Sequence, residues 1–575
     1  MSENTIKIIP LGGVREFGKN MYAIEVDDSI FVLDAGLKYP ETEMLGVDYV
    51  IPQTTYLKDN ADRVAGIFLT HGHPDSIGAL PYLLAEVEAP VFASELTVEL
   101  AKLNVKSYDA SKNFDDFHVV DEQTEIDFGV AGISFFSTTH TIPDSLGIVI
   151  NTKEGNIVYT GDFKFDPAVE DGYKTNLGRL AEIGSQGVLA LLSDSANAMS
   201  SEQSASEHAV ADKILDVISG WDGRVIVASV AGNIIRIQQV LDAAQITGRK
   251  VALTGYDIDE IVKTARSLGK LIVDDSIIIS IKDIDKYPDD EVLILEAGRM
   301  GEPIRTVADM ATGRNRQVKI KDGDLVFAVT SPTVSMETFV AKTENIVYKA
   351  GGVMKLLASE IKVSGHANSR DLQTMIDIMK PKNLIPIQGE YRELEAHTDL
   401  AQEVGIPKEN TFITKRGDIL SYEQGSFVPD GAVEADNIMI DGSGVGDIGS
   451  IVLRDRKILS EDGIFIAVIT ISKKEKKIIS HTKVNTRGFV YVKQSKNLIK
   501  DSAKLVDETV EKYLEKPDFD WVEIKQEIRD ALGKYLYDQT KRRPVILPVV
   551  MEVRSEDNLK KRKKNKKKEK TQAKN

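Results

Sequence analysis

Short apolar runs that end in small or polar turns recur through the first third of the chain. They include Val64-Ala65-Gly66-Ile67-Phe68-Leu69, Phe135-Phe136, Ile157-Val158-Tyr159 and Val188-Leu189-Ala190-Leu191-Leu192. Runs of this length, bounded by turn residues, predict strands buried in a sheet. From about residue 205 to 355 the pattern becomes strand then helix, as in Arg224-Val225-Ile226-Val227-Ala228-Ser229 followed by Ile234-Ile235-Arg236-Ile237-Gln238-Gln239-Val240-Leu241. The Gly-rich stretch Asp441–Gly449 reads as a linker. A last unit then runs to about residue 554, where Ile499–Val510 carries an apolar stripe at helical spacing that reads as core. Apolar strands alternating with amphipathic segments predict an α/β layered fold.

At 575 residues the chain is long enough for three or four domains with large cores. It has no cysteine, which excludes disulfides, thiolate metal sites and a cysteine nucleophile. The polar, acidic start and the lack of any apolar run of membrane-spanning length predict a cytoplasmic protein without a membrane association. The net charge of −17 argues by itself against nucleic acid, although it says little about a local groove. Lys560–Lys570 reverses that sign and reads as a disordered arm, either solubilising or in non-specific contact with RNA.

The chemistry concentrates at the ends of the predicted strands. Thr70-His71-Gly72-His73-Pro74-Asp75 places two imidazoles and a carboxylate on one tight loop, as a compact zinc site requires. His140 follows a second strand and Asp162 a third, in Tyr159-Thr160-Gly161-Asp162. Strand ends that each deliver a ligand define a site along one edge of a sheet.

In that order, these residues resemble the metallo-β-lactamase superfamily, its β-CASP nucleases, and among them the bacterial ribonuclease J family. Supporting segments are Pro10-Leu11-Gly12-Gly13, Leu33-Asp34-Ala35-Gly36, Thr139-His140-Thr141-Ile142-Pro143-Asp144-Ser145, Gly161-Asp162-Phe163-Lys164-Phe165-Asp166 and Val363-Ser364-Gly365-His366, reaching to about residue 420. The resemblance implies an αββα sandwich over residues 1–204 and 356–420 and an inserted β-CASP α/β clamp over 205–355. It further implies a linker over 421–450, a small α/β C-terminal domain associated with dimerisation over 451–554, and the basic tail 555–575.

On the family pattern His71, His73 and His140 would hold a first metal, with Asp162 as the bridge. A second metal would use Asp75, Asp162 and two further histidines, but Ser76 and Gln388 stand at those two positions. A hydroxyl and an amide are poor zinc ligands, so the expectation is one zinc per chain and a weak second site, with manganese or magnesium as alternatives. His366 matches the family's general acid and Asp194 the carboxylate that would orient and charge it; Asp75 completes the acidic set. Phosphate binding falls to Val363, Ser364, Gly365 and His366, with Gly232 and Asn233 in an altered Gly-Asn loop. Lys362 replaces a family histidine and would act as a point charge. The turn Thr333-Val334-Ser335-Met336-Glu337 replaces a Pro-Gly-Asn-Glu motif.

These losses resemble the ligand-depleted branch of the family in Gram-positive bacteria, which pairs with a more active sister subunit. The implied activity is 5′→3′ exonucleolytic, with some endonucleolytic, cleavage of single-stranded RNA in mRNA decay and rRNA maturation. The implied partners are RNA, a second copy or the active paralogue, and an RNA-degradation complex. A non-catalytic RNA-binding scaffold is the alternative.

Overall fold

Val188–Asp194 is buried at every position because it lies in mid-sheet, between Gly155–Tyr159 and Asn383–Ile387. The computed structural model describes residues 5–553 except 42, 171, 256, 300, 331–335, 443 and 517–518. The replaced turn at Thr333-Val334-Ser335 and the basic tail 555–575 lie outside the described residues. The chain divides into two compact units, one running to residue 438 without 40–48, the other comprising 40–48 and the residues from 439 onward.

The first unit contains a sandwich and a clamp. One sandwich sheet has the order Ser426–Ala432, Asp418–Glu423, Ile6–Gly12, Met21–Val26, Ser29–Leu33, Val64–Phe68, Val91–Ala93, Phe117–Val119. The other runs Asn383–Ile387, Val188–Asp194, Gly155–Tyr159, Leu146–Thr152, Gly132–Ser137, Glu125–Asp127. Alternate residues point inward, as the two-residue strand period requires. Ile6, Ile8, Ile24, Phe31 and Phe68 of one sheet pack in a common core with Ile133, Phe135, Ile148, Ile157 and Leu192 of the other. The opposite face of the second sheet, including Phe136, Val149, Val158 and Leu191, is covered by the helices Leu177–Gln186, Ser369–Met379 and Tyr391–Glu403. The clamp is a wholly parallel sheet ordered Ile278–Ile279, Lys250–Thr254, Val292–Gly298, Val225–Val230, Leu325–Ala328, Val353–Leu356.

The expected linker over 421–450 is corrected. Residues 418–432 form a hairpin that extends the first sandwich sheet, with Tyr422 opposite Ile6 and Leu420 opposite Ile8. Its turn is Gln424-Gly425, both with positive φ (49° and 90°), which suits the right-handed twist of the flanking strands. Leu420 and Phe427 are buried in the sandwich core, so the return segment continues past residue 420. At the start of the Gly-rich stretch Asp441–Gly449, Ile440 pairs with Val445 and Asp441 with Gly444.

In the second unit, the strands Lys477–Arg487, Ile464–Ser472 and Val545–Glu552 form a sheet in that order. Phe465, Ala467, Ile469 and Ile471 pack against Val506, Val510, Tyr513, Ile528 and Leu532 of the helices Lys496–Leu514 and Trp521–Thr540. The stripe expected over Ile499–Val510 is therefore core. Among the described residues no helix is long and apolar enough to cross a membrane.

Candidate metal and phosphodiester site

Each candidate ligand follows the C-terminal end of a strand. His71 and His73 follow Val64–Phe68, His140 follows Gly132–Ser137, Asp162 follows Gly155–Tyr159, and Asp194 closes Val188–Asp194. The rings of His71, His73 and His140 form a near-equilateral triangle, with centroids 4.7, 4.9 and 4.9 Å apart.

Hydrogen bonds on the outer side of this triangle fix which nitrogen of each ring faces inward. A carbonyl can only accept, so His73 Nε2–H donates to Gly232 O (3.0 Å) and His140 Nδ1–H donates to Gly365 O (2.9 Å). The inner nitrogens, His73 Nδ1 and His140 Nε2, then face each other at 3.1 Å as bare lone pairs. Burial pushes both rings below the usual histidine pKa, which keeps them neutral. At His71 the relay is longer. Asp34 accepts from the Thr70 hydroxyl (2.9 and 3.0 Å), and Thr70 Oγ1 accepts from His71 Nδ1 (2.9 Å). His71 Nε2 is left buried without a hydrogen-bond partner, 3.8 Å from Asp162 Oδ2.

Three inward lone pairs, two of them 3.1 Å apart, repel one another unless a cation lies between them. Nitrogens on a tetrahedral zinc at about 2.0 Å are about 3.3 Å from each other, so this donor set fits a transition metal. Outer partners that fix the tautomer are the usual support of metal-binding histidines. The support for these rings comes from Asp34, Thr70 and the carbonyls of Gly232 and Gly365, for which the sequence pattern gives no role. Gly232 and Gly365 are also needed for closeness, since an added Cβ would come within 2.9 Å of His73 Cδ2 and 3.0 Å of His140 Cε1, respectively.

A second group joins Asp162, Asp194 and His366. His366 Nδ1 is 2.8 Å from Asp194 Oδ2 and 3.9 Å from Asp162 Oδ2. Burial opposes protonation of this ring, but the carboxylates of Asp194, Asp162 and Asp75 outweigh it and hold the His366 pKa up at about 10. With Nδ1–H engaged by Asp194, the proton on Nε2 is the one free to be given away.

The remaining expected residues are placed differently. Asp75 lies close enough to influence His73, Asp162 and His366 electrostatically but belongs to neither close group. Ser76 Oγ sits 3.4 Å from His71 Nδ1 and 3.4 Å from Asp34 Oδ2, on the outer side of the His71 ring. Gln388 is buried with φ +50°; its N–H donates to Gly13 O and its carbonyl accepts from Ser195 N. Ser364 Oγ accepts from His366 N (3.0 Å) and donates to His366 O (3.1 Å), which shapes the Val363-Ser364-Gly365 turn. Lys362 Nζ reaches Ser200 Oγ (2.7 Å) and Glu202 Oε2 (3.0 Å). Asn233 caps the helix Ile234–Ile246 by accepting from Arg236 N.

The chain is 61% identical to Ribonuclease J 2 of Streptococcus pyogenes over 550 residues, covering 96% of this chain and 100% of the relative. It belongs to the ribonuclease J family. Ribonuclease J2 of Bacillus subtilis is 44% identical over 95% of this chain and 99% of its own length. The metallo-β-lactamase superfamily matches residues 14–208 and the ribonuclease J β-CASP domain 222–346. The RNA specificity domain of Zn-dependent metallo-hydrolases matches 354–413 and the ribonuclease J C-terminal domain 451–553. A crystal structure of a protein of unknown function from Enterococcus faecalis V583 shares the fold, with a TM-score of 0.51 at 14% identity over 73% of this chain and all of that one. As a ribonuclease J family member, the chain is a metal-dependent ribonuclease that binds RNA.

Proposed function

We propose that this ribonuclease J-type chain holds one zinc tightly, has a weak second metal position, and cleaves single-stranded RNA more slowly than members with a full ligand set. The observation that carries this reading is the contrast between three inward, unpartnered imidazole nitrogens and a Ser76 oxygen turned to the outer side of His71. His71, His73 and His140 would hold the metal, with Asp162 beside them. When bound, the metal supplies Lewis acidity toward the scissile phosphate. Asp162 takes up the proton of the attacking water, and His366, charged and oriented by Asp194, delivers the Nε2 proton to the leaving 3′-oxygen. Manganese or magnesium at Asp75, Asp162 and Gln388 would suit the harder oxygen donors there.

The proposed direction is 5′→3′ exonucleolytic with some endonucleolytic cleavage, in mRNA decay and rRNA maturation in the cytoplasm. The proposed assembly is with a second copy or a more active paralogue. The test is degradation of 5′-monophosphorylated single-stranded RNA by the purified chain with zinc or manganese, using His71→Ala/His73→Ala as the blank. Mononucleotide release above the blank supports a slowed exonuclease. Release equal to the blank favours a scaffold subunit that binds RNA for its partner.

A further inference from the structure

The carbonyl that fixes His73 belongs to the clamp. Gly232 lies between the clamp strand Val225–Val230 and the helix Ile234–Ile246, whereas His73 follows a strand of the sandwich. The first turn of that helix is held to the sandwich loops: Ile235 N donates to Thr141 O, beside His140, and Ile235 packs with Val169 and Tyr173.

One turn deeper is a fully buried charge cluster. Glu207, at the start of the helix Glu207–Ser219, receives Lys164 Nζ at 2.6 Å, Arg236 Nη1 at 3.2 Å and Gln239 Nε2 at 3.1 Å. Its N–H donates to Asp166 Oδ2 at 2.7 Å, and Lys164 lies 3.7 Å from that same carboxylate oxygen. Two cations and two carboxylates balance, and none of these five side chains is more than 8% exposed. Burial opposes ionisation of Glu207, yet Arg236 and Lys164 hold it below the ordinary glutamate range. Apolar residues would often be at least as stable in such a place, so stability alone does not account for the cluster. Lys164 is two residues beyond Asp162, and its N–H bonds to Thr139 O, next to His140. Arg236 is four residues beyond Gly232. The cluster thus joins the loops carrying His140 and Asp162 to the clamp segment that meets His73.

We propose that Lys164, Glu207 and Arg236 are positioning residues that hold the Gly232 carbonyl against His73, so that docking of the clamp and metal binding at His71, His73 and His140 strengthen each other. This inference rests on the metal reading given above. Linkage is reciprocal: metal must stabilise the docked clamp by the same factor by which the docked clamp raises metal affinity.

The test is zinc affinity, measured on the full chain by competition with a chromophoric chelator. Arg236→Met is expected to weaken binding about tenfold or more, the usual loss when support of a ligating histidine is removed, with Arg236→Lys recovering part of it. Arg224→Met cuts a buried ion pair with Asp324 inside the clamp (2.6 Å) and should leave zinc affinity unchanged. Zinc should also slow amide exchange over residues 232–240 of the unmodified chain, a measurement that stands even if Arg236→Met fails to fold. Equal affinity in a folded Arg236→Met, an equal loss in Arg224→Met, or no zinc-dependent protection over 232–240 would each overturn the linkage. A wild-type chain that binds no zinc would instead overturn the metal reading beneath it.

Discussion

The triad of His71, His73 and His140 and the neighbouring position of Ser76 and Gln388 share one edge of the sandwich, yet only the first gathers three imidazoles with inward-facing nitrogens. In the triad, each ring has its outer nitrogen engaged and its inner nitrogen bare. At the second position the side chains are a hydroxyl and an amide, which are poor zinc donors. Gln388 holds a left-handed φ of +50°, a conformation that costs an ordinary residue roughly 1–2 kcal/mol, and bonds Gly13 and Ser195 through its backbone. Behind it Ser195 Oγ meets the buried His397 Nδ1 at 2.9 Å. The backbone at Gln388 is thus held from both sides, whatever its side chain can or cannot bind.

The sharpest way to break this comparison is His140→Ala. It should leave no metal bound after dialysis, by elemental analysis, and RNA cleavage at the level of the blank; retained stoichiometric zinc would mean that the triad is not the tight site. Next in size, His366→Ala should lower turnover by about 10²–10⁴-fold while metal content stays at the wild-type value, separating proton delivery from metal holding. Ser76→His with Gln388→His should raise bound metal from one to two per chain and increase turnover. An unchanged stoichiometry in that double variant would show that the backbone frame there does not admit a second ion.

The smallest effect concerns the frame itself. Burial pushes His397 down to about 4, whereas in the unfolded chain it titrates near about 6.5. Between those values the unfolded state binds the extra proton. The contribution to stability is therefore full above about pH 6.5 and is lost as the pH falls through about 4, by about 3 kcal/mol at most. His397→Gln should flatten that slope in denaturant titrations run across the window. An unaltered slope would place the acid sensitivity elsewhere.

The candidate donors were legible because a metal needs its donors on tight loops after buried strands, and His71-Gly72-His73, His140 and Asp162 all stand there. The parts that make those ligands work were less so. Gly232 and Gly365 act on the histidines through carbonyls, which every residue has, so their identity signals only that space is short. Asp34 did carry a mark, an acid directly after the buried strand Ser29–Leu33, but its partner Thr70 is 36 positions away. Glu207 and Arg236 look like ordinary surface charges on amphipathic helices, and only the fold buries them together. The hairpin over 418–432 was hidden by its polar composition, although Gln424-Gly425 between Leu420 and Phe427 carried the turn signal.

The placement of that hairpin has a consequence for biosynthesis. The strand Ile6–Gly12 gains its second neighbour only when Asp418–Glu423 has been made, and His366 meets Asp194 only after the whole clamp has been translated. At about 5–20 residues per second, about 20–80 s separate synthesis of the two paired strands. From the synthesis of His140 until that of His366, within that interval, the growing polypeptide carries its histidine triad without the residue that would protonate a leaving group, so it emerges from the ribosome among RNA as an incomplete nuclease.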